Sequence, residues 1–358
     1  MVLVRPVTAA DLEPLLELAK LAGAGLTTLP TDREILSRRI AVSQRAFAAI
    51  PDRPQGESYL LVMEDAGAQR VIGACGIVSK VGGYEPFYSY RIERERFESD
   101  AIGVRHEVPV LRLLLEHDGP CEIGSLFLHP DYRGGGNGRL LQLVRFLFIA
   151  EHRNAFEPTV VSEIRGVSDA AGNSPFWDAV GRHFFNIDFR RADYLSVVNK
   201  KFIAELMPRH PIYIPILPKS AQDVIGVPHE HSRAAVKNLQ AEGFLYSDKV
   251  DIFDAGPVLT CRRDEIRSVR DSARATVAEL TETEPAGEPY MIGTSTQDFR
   301  ACRAGAEPRA DGTVRISRPV ADALRIRVGD AVRYVALHAP ALQRAAKEAP
   351  PIEKSVWI

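Results

Sequence analysis

The stretch LFLHPDYRGGGNGR, Leu126 to Arg139, restricts the fold of this chain more than any other part. CEIGSLFL reads as a strand over 121–128, ended by His129 and Pro130, and NGRLLQLVRFLFIAE reads as an amphipathic helix over 137–151. Between them Arg133 is followed by Gly134, Gly135, Gly136, Asn137 and Gly138. Glycines there let the backbone approach a ligand closely. Successive unhindered N–H groups at a helix N-terminus make an anion site suited to a pyrophosphate, and Arg133 can add a fixed positive charge. A surface turn with an ordinary helix start is the alternative. Two other phosphate loops are excluded. No Lys-Ser or Lys-Thr follows Gly138, as a Walker loop requires, and Leu141 stands where the dinucleotide fingerprint needs its third glycine.

The flanking sequence alternates strands and helices, as a mixed α/β domain does. Val2, Leu3, Val4 and Val7 read as a first strand, Thr8 as an N-cap, and Leu12, Leu15, Leu16 and Leu18 as a helical stripe. YLLVMED (59–65) and VIGACGIV (71–78) flank a polar turn at Gly67, the pattern of an antiparallel hairpin, and YEPFYSY (84–90) then interrupts it. Further on come a buried-looking strand at 159–164, a helix opened by Ser174 and Pro175, and a strand near Ile187. A passage over 232–253 has the same helix-to-strand outline, which suggests an internal repeat. From Asp264 to Pro289 large apolar residues are scarce, so a surface helix running into a linker is expected. Residues 312–337 regain strand patterning around a turn at Gly329 and Asp330.

Composition narrows the partners. With 45 basic and 47 acidic residues among 358, the formal charge of -2 gives no basic field for a phosphate backbone, so nucleic acid is not expected. Cys75, Cys121, Cys261 and Cys302 form no C-x-x-C pair, which argues against a zinc ribbon or a disulfide framework and fits a reducing cytoplasm. They read as small hydrophobes. The histidines show no metal-ligand spacing, and no metal is expected. The N-terminus has no apolar signal core, and 140–150 is interrupted by Gln142 and Arg145 and too short to span a bilayer. A cytoplasmic protein without membrane contact is the expectation.

Arg133, Gly136 and Gly138 form Arg-x-x-Gly-x-Gly after a strand ending in Leu-x-Pro, a pattern that resembles the coenzyme A pyrophosphate loop of the GNAT superfamily of N-acetyltransferases. Longer blocks narrow the likeness: VRPVTAADLEPLLELA with GLTTLP, EIRGVSDAAGNSPFWDAVGRHFFNIDFRRADY, KFIAELMPRHPIYIPILPKSAQDVIGVPHEHS and EGFLYSDKVDIFDAGPVLTC. Over most of its length the chain resembles the arginine N-succinyltransferase family; 91–119, the linker after Asp264 and the extreme C-terminus diverge. The resemblance implies an α/β (α+β) GNAT-like acyl-CoA N-acyltransferase fold, a mixed and largely antiparallel sheet flanked by helices, with family-specific additions. It implies an acyl-CoA-binding domain over 1–200 and an extension over 201–265 that packs on it or forms a second GNAT-like half. A helix and linker over 266–289, a small β-rich unit over 290–340 and a tail over 341–358 complete the division. The implied activity is transfer of succinyl from succinyl-CoA to the α-amino group of L-arginine, the first step of arginine degradation by the succinyltransferase pathway. Ornithine succinylation, transfer from another acyl-CoA, and a non-catalytic coenzyme A-binding subunit compete with it. A homo-oligomer, or a hetero-oligomer with a related subunit, is also implied.

The resemblance assigns succinyl-CoA contact to Leu126 and proton donation to His229. Leu126 has no polar side chain, so its contact falls to a backbone N–H able to polarise a thioester carbonyl. Leu128 lies further along the coenzyme track, and Arg133, Gly135, Gly136, Asn137 and Gly138 lie at the pyrophosphate. His229 follows Pro228 in a loop, and imidazole titrates ordinarily near about 6.5; His231 and His210 are its rivals. The substrate amine is the nucleophile, so no Ser or Cys is needed. Glu163 either helps that amine lose its proton or is a structural partner of Arg165. A substrate guanidinium calls for a carboxylate, for which Asp223, Asp251 and Asp254 are candidates. Phe176, Trp177, Phe184 and Phe185 read as core.

Overall fold

The computed structural model describes residues 1–338, apart from 24, 25, 27, 170, 171, 199 and 297. The tail expected over 341–358 lies outside the described residues. Strand β1 (Val2–Pro6) leads through a Thr8–Asp11 capping box to α1 (Leu12–Ala22), and Asp32 caps α2 (Arg33–Ala48) by accepting the N–H groups of Glu34 and Ile35. Next come the hairpins β2 (Ser58–Asp65) with β3 (Arg70–Val78) and β4 (Gly82–Ser99) with β5 (Val104–Asp118). Strand β6 (Cys121–Leu128), helix α3 (Asn137–Glu151) and strand β7 (Thr159–Glu163) form the centre. Short helices follow: α4 (Pro175–Ala179), α5 (Gly181–Phe185), α6 (Phe189–Val198) and α7 (Lys201–Leu206), then β8 (Ile212–Tyr213) and α8 (Lys219–Gln222). Helix α9 (Arg233–Glu242) precedes β9 (Leu245–Val250), β10 (Pro257–Arg262) and α10 (Arg267–Arg270). The C-terminal part holds β11 (Ala273–Thr281), β12 (Tyr290–Thr294), β13 (Ala301–Ala304), β14 (Glu307–Pro308), β15 (Thr313–Ser317), α11 (Arg318–Leu324) and β16 (Ala331–Ala336).

All the strands join in one sheet, ordered β14-β15-β11-β16-β12-β13-β1-β2-β3-β6-β7-β10-β9-β4-β5-β8. Among the described residues only β6–β7 and β11–β15 pair in parallel. The fold is therefore the mixed, largely antiparallel sheet flanked by helices that the resemblance implies. Cys121 and Ile123 of β6 face α3, in one core with Leu140, Val144 and Phe148, whereas α1 and α2 cover the opposite face through Leu15, Leu36 and Ile40. Strand alternation then turns Glu122 and Gly124 toward α2. Helix α3 is buried all round over 140–150 because α9, α10 and the strands β12 and β16 enclose its far side. Its polar residues are accordingly bonded: Gln142 Nε2 donates to Ala235 O at 2.8 Å.

Two local expectations fail. The stretch over 264–289 contains only a four-residue helix and then strand β11. Ala275 and Val277 point inward there, and the Thr, Arg and Glu residues that made it look like a solvated helix are the outward half of an alternating strand. Ile187 lies in a turn, with α6 beginning at Phe189, and Trp177 Nε1 donates to Ile187 O at 3.1 Å. The divergent region 91–119 belongs to a long hairpin paired from Phe87↔Glu116 to Ser99↔Val104, held to β9 by Lys249 and Glu116 at 2.7 Å. In the 201–265 segment, β10 pairs with β7 and β9, extending the same sheet. The buried Arg267–Glu242 pair, 2.7 Å apart, ties α10 to α9, and Arg267 also donates to Ala336 O.

Candidate active site

At the start of α3 the chain runs through Gly134, Gly135 and Gly136 with φ of +105°, +56° and +87°. A side chain would be strained at each. The amides of Gly134, Gly135, Gly136 and Gly138 donate to no backbone oxygen among the described residues. Asn137 closes the turn: its N–H donates to Gly134 O at 3.2 Å and its Nδ2 to Tyr132 O at 3.1 Å. The result is a concave set of N–H groups at the positive end of a 15-residue helix, with Arg133 exposed beside it. A Cβ on Gly138 would lie 3.8 Å from Leu128 Cδ2, so strand end and helix start touch. From β13, Arg303 donates to Gly135 O and ties the loop to the C-terminal part of the sheet.

Strand β6 carries a bulge. Gly76↔Gly124 and Ala74↔Phe127 are paired, so Ser125 and Leu126 together oppose Cys75 alone. Ser125 takes φ +53°, uncommon for a residue with a side chain, and two bonds hold it: its N–H donates to Thr28 Oγ1 and its Oγ to Thr28 O, both at 3.1 Å. The bulge leaves Leu126 without a partner in the ladder and resets the alternation, so that Leu126 and Leu128 face α3 and Phe127 faces α1 and α2. On its other side β6 pairs with β7 only at Cys121↔Val160 and Glu122↔Val161. Beyond those residues Ser162 Oγ donates to Ile123 O at 3.3 Å, and no further ladder pair joins the two strands among the described residues.

His229 is pinned to the continuation of β7. Its N–H donates to Arg165 O at 2.8 Å, and Pro228 bridges Gly166. Its Nδ1 accepts the His231 N–H at 3.2 Å, which puts the proton of the neutral ring on Nε2. Burial, then the charges of Arg165 and His231, lower its pKa from the ordinary value, so near neutral pH it is chiefly uncharged.

Carboxyl groups gather on the α2 face of the sheet at β6 and β7. Glu122 and Glu163 share that face, since Glu122 is level with Val161 and Glu163 lies two residues on. Glu163 Oε1 is shut off from water and has no hydrogen-bond partner. Burial, and then the charges of Asp251 and Glu122, raise the Glu163 pKa well above the carboxylate range, with Lys200 opposing. Burial also raises Glu122, against Lys200 and Arg39. Asp251 Oδ1 accepts the N–H groups of Phe253 (2.7 Å) and Asp254 (2.8 Å), and Asp254 accepts those of Gly166 (2.7 Å) and Gly256 (2.8 Å). Both aspartates are raised by burial, Asp254 strongly.

Over residues 2–268 the sequence matches the family described as arginine N-succinyltransferase beta subunit, and over 273–336 the C-terminal domain of that subunit. Arginine N-succinyltransferase subunit beta of Pseudomonas aeruginosa is 44% identical over 340 residues, covering 94% of this chain and 98% of the relative. The arginine N-succinyltransferase of Yersinia pseudotuberculosis is 42% identical over 352 residues, 96% and 100% of the two chains. A solved structure of arginine/ornithine succinyltransferase subunit AI from Pseudomonas aeruginosa superimposes with a TM-score of 0.87 at 35% identity, covering 95% of this chain and 99% of that one. The chain belongs to the arginine N-succinyltransferase family.

For this family member the structure brings most of the expected residues into one region. Leu126 is at the bulge, Leu128 and the glycine loop follow it, and Glu163 and His229 lie at the end of β7. Asp251 and Asp254 adjoin Glu163, although part of their bonding capacity serves the 251–256 turn. Asp223 is elsewhere, on the surface against Lys219 at 3.1 Å. Glu163 forms no pair with Arg165, whose Nη2 donates to Ser168 Oγ at 2.9 Å. Phe176, Trp177 and Phe185 are core, but Phe184 is 46% exposed. Sequence reading missed Arg39, Glu122 and Lys200. Glu122 had one visible mark, an acidic residue inside an otherwise uncharged strand; Arg39 and Lys200 had none.

Proposed function

We propose that this chain transfers the succinyl group of succinyl-CoA to the α-amino group of L-arginine. The observation that carries the reading is the buried carboxyl cluster of Glu122, Glu163 and Asp251 on and beside strand β6, whose far end leads into the glycine loop. The loop amides and Arg133 hold the pyrophosphate, with Gly135, Gly136, Asn137 and Gly138 shaping the cradle. The pantetheine arm runs past Leu128. The Leu126 N–H donates to the thioester carbonyl oxygen as negative charge grows there. Glu163, with Asp251 behind it, receives the substrate guanidinium, and its charged form recovers when that cation replaces the missing partner.

The arginine amine attacks the carbonyl carbon, the C–N bond forms and the C–S bond breaks. A free α-amino group titrates near about 8, so it must lose a proton before attack. The proton that the amine sheds passes to solvent; His229, whose neutral ring holds its proton on Nε2, gives that proton to the departing thiolate, which leaves as the thiol, and solvent reprotonates the ring. No group on the enzyme is acylated. The C-terminal unit over 290–340 supports the loop through Arg303, and the body before it carries the chemistry. A cytoplasmic homo-oligomer, or an oligomer with a related subunit, is the proposed setting; no helix among the described residues is long and apolar enough to cross a membrane.

Ornithine is a second acceptor on this reading, because a related structure carries both substrates in its name. The test is thiol release from succinyl-CoA with arginine, ornithine and lysine, repeated with acetyl-CoA. Fastest release with arginine and succinyl-CoA is expected. Binding of succinyl-CoA without release would make the chain a non-catalytic subunit, and preference for acetyl-CoA would reject succinyl transfer.

A further inference from the structure

We propose that Arg39 binds the distal carboxylate of the acyl donor and thereby selects succinyl-CoA over uncharged acyl donors; this rests on the succinyl transfer proposed above. A small pocket opens directly at the β6 bulge, lined by Thr28, Arg39, Gly76, Glu122, Gly124 and Ser125. Its floor is bare because Gly76 and Gly124 are partners across β3 and β6 on the α2 face. A Cβ on Gly76 would lie 3.0 Å from Ser125 Oγ, and one on Gly124 would lie 3.6 Å from Glu122 Oε1 and 3.9 Å from Thr28 Cγ2, so either side chain would enter the pocket. Paired glycines in central strands give up packing, which marks a place where something else comes close.

Arg39 reaches this floor from α2. It is partly buried, yet it forms no hydrogen bond or ion pair within 4 Å among the described residues. Burial lowers its pKa and only Glu122 opposes, the condition of a cation short of a partner. On the other face of the sheet Arg145, 2% exposed, donates from Nη1 to Gly76 O at 3.4 Å and Gly124 O at 3.1 Å. Its Nε bonds Gln142 O, and no carboxylate accompanies it. Two guanidinium groups therefore flank the floor, and Glu122 is the one carboxylate in the pocket lining among the described residues. With the thioester carbonyl at Leu126 N–H, the succinyl chain extends two methylenes to its carboxylate. An acetyl group ends before it reaches Arg39. The guanidinium fork matches a carboxylate, and filling it removes the cost of the unpaired cation.

Wild type, Arg39→Gln and Arg39→Lys are assayed by thiol release at saturating arginine with succinyl-CoA and with butyryl-CoA, in which a methyl group replaces the carboxylate. Arg39→Gln is expected to lower kcat/KM for succinyl-CoA by about 10- to 100-fold, the range of one charged hydrogen-bonded contact. Its use of butyryl-CoA and its KM for arginine should stay close to wild type, and Arg39→Lys should recover part of the loss. Unchanged affinity for free coenzyme A shows that the variant is folded. Gly124→Ala, whose added Cβ makes only ordinary contacts, should impair succinyl- and butyryl-CoA alike and spare acetyl-CoA. Equal losses with both longer donors in Arg39→Gln, or a loss confined to the KM for arginine, would overturn the role of Arg39 alone. Wild-type enzyme inactive with succinyl-CoA and arginine would overturn the activity and this proposal together.

Discussion

The glycine loop at the start of α3 and the side-chain cluster on the α2 face of the sheet both adjoin strand β6, but they are built in opposite ways. The loop uses contiguous residues and recognises through backbone N–H groups, which keep their polarity at any pH. The second region draws on side chains from five separated segments, Arg39, Glu122, Glu163, His229 and Asp251, and all five have shifted pKa values. A backbone cradle suits the coenzyme, the part common to every acyl donor. Titratable side chains suit the acyl group and the amine, where charge changes during reaction. Damage to the loop should therefore weaken all donors equally, and damage to the second region should discriminate.

The largest effect belongs to His229. His229→Ala should lower kcat by about 10²- to 10⁴-fold with the fold preserved by circular dichroism. In the wild-type enzyme the neutral form of His229, with Nδ1 accepting the His231 N–H, is the competent one and its pKa is lowered, so the acid limb of kcat/KM against pH should lie below about 6.5 and vanish in the variant. Near-normal turnover in His229→Ala would remove proton transfer from that region's functions.

Glu163→Gln comes next. Loss of one charged contact to the guanidinium should raise the KM for arginine about 10- to 100-fold and leave the KM for succinyl-CoA unchanged. Stability should move the other way. Burial raises Glu163 and Asp254, so the folded protein holds protons that the unfolded chain releases above about pH 4. Stability then falls as pH rises from that value through the raised folded pKa, so burial of Glu163 opposes folding at neutral pH. Glu163→Gln should stabilise the protein by about 1 kcal/mol at pH 7, measured by urea unfolding, and flatten that pH dependence. A destabilised variant would mean that Glu163 has a structural partner.

The same contrast explains what could be read in the sequence. The strand, glycine loop and helix over 121–151 were legible because their determinants are adjacent, and Arg133, Gly136 and Gly138 needed no partner to be recognised. His229 had no such local mark; its assignment came from family resemblance, and only the bonds to Arg165 and Gly166 place it beside β7. Arg39 was invisible, an ordinary arginine in an amphipathic helix, until α2 packed over Gly76 and Gly124. Glu163 was legible as a strand end but not as an unpartnered carboxyl, because that depends on Asp251, some ninety positions away. Strand β11 was misread for a related reason: alternation with small inward residues has too little apolar content to show without its neighbours β15 and β16.

The smallest effect tests the loop. Gly135 has φ +56° and open space around its Cα, so Gly135→Ala meets backbone strain alone, costing about 1 kcal/mol. Relief of that strain would turn one or two amides away from the pyrophosphate. The KM for the donor should rise roughly threefold to tenfold, about the share of one hydrogen bond. The rise should be the same for succinyl-, butyryl- and acetyl-CoA, because nothing in the cradle reaches the acyl group, and the KM for arginine should not move. A Gly135→Ala enzyme that altered donor preference would show that loop and pocket are coupled through the short β6 segment between Leu126 and Pro130. That coupling would also limit what Arg39→Gln reports, since a pocket variant could then act through the cradle.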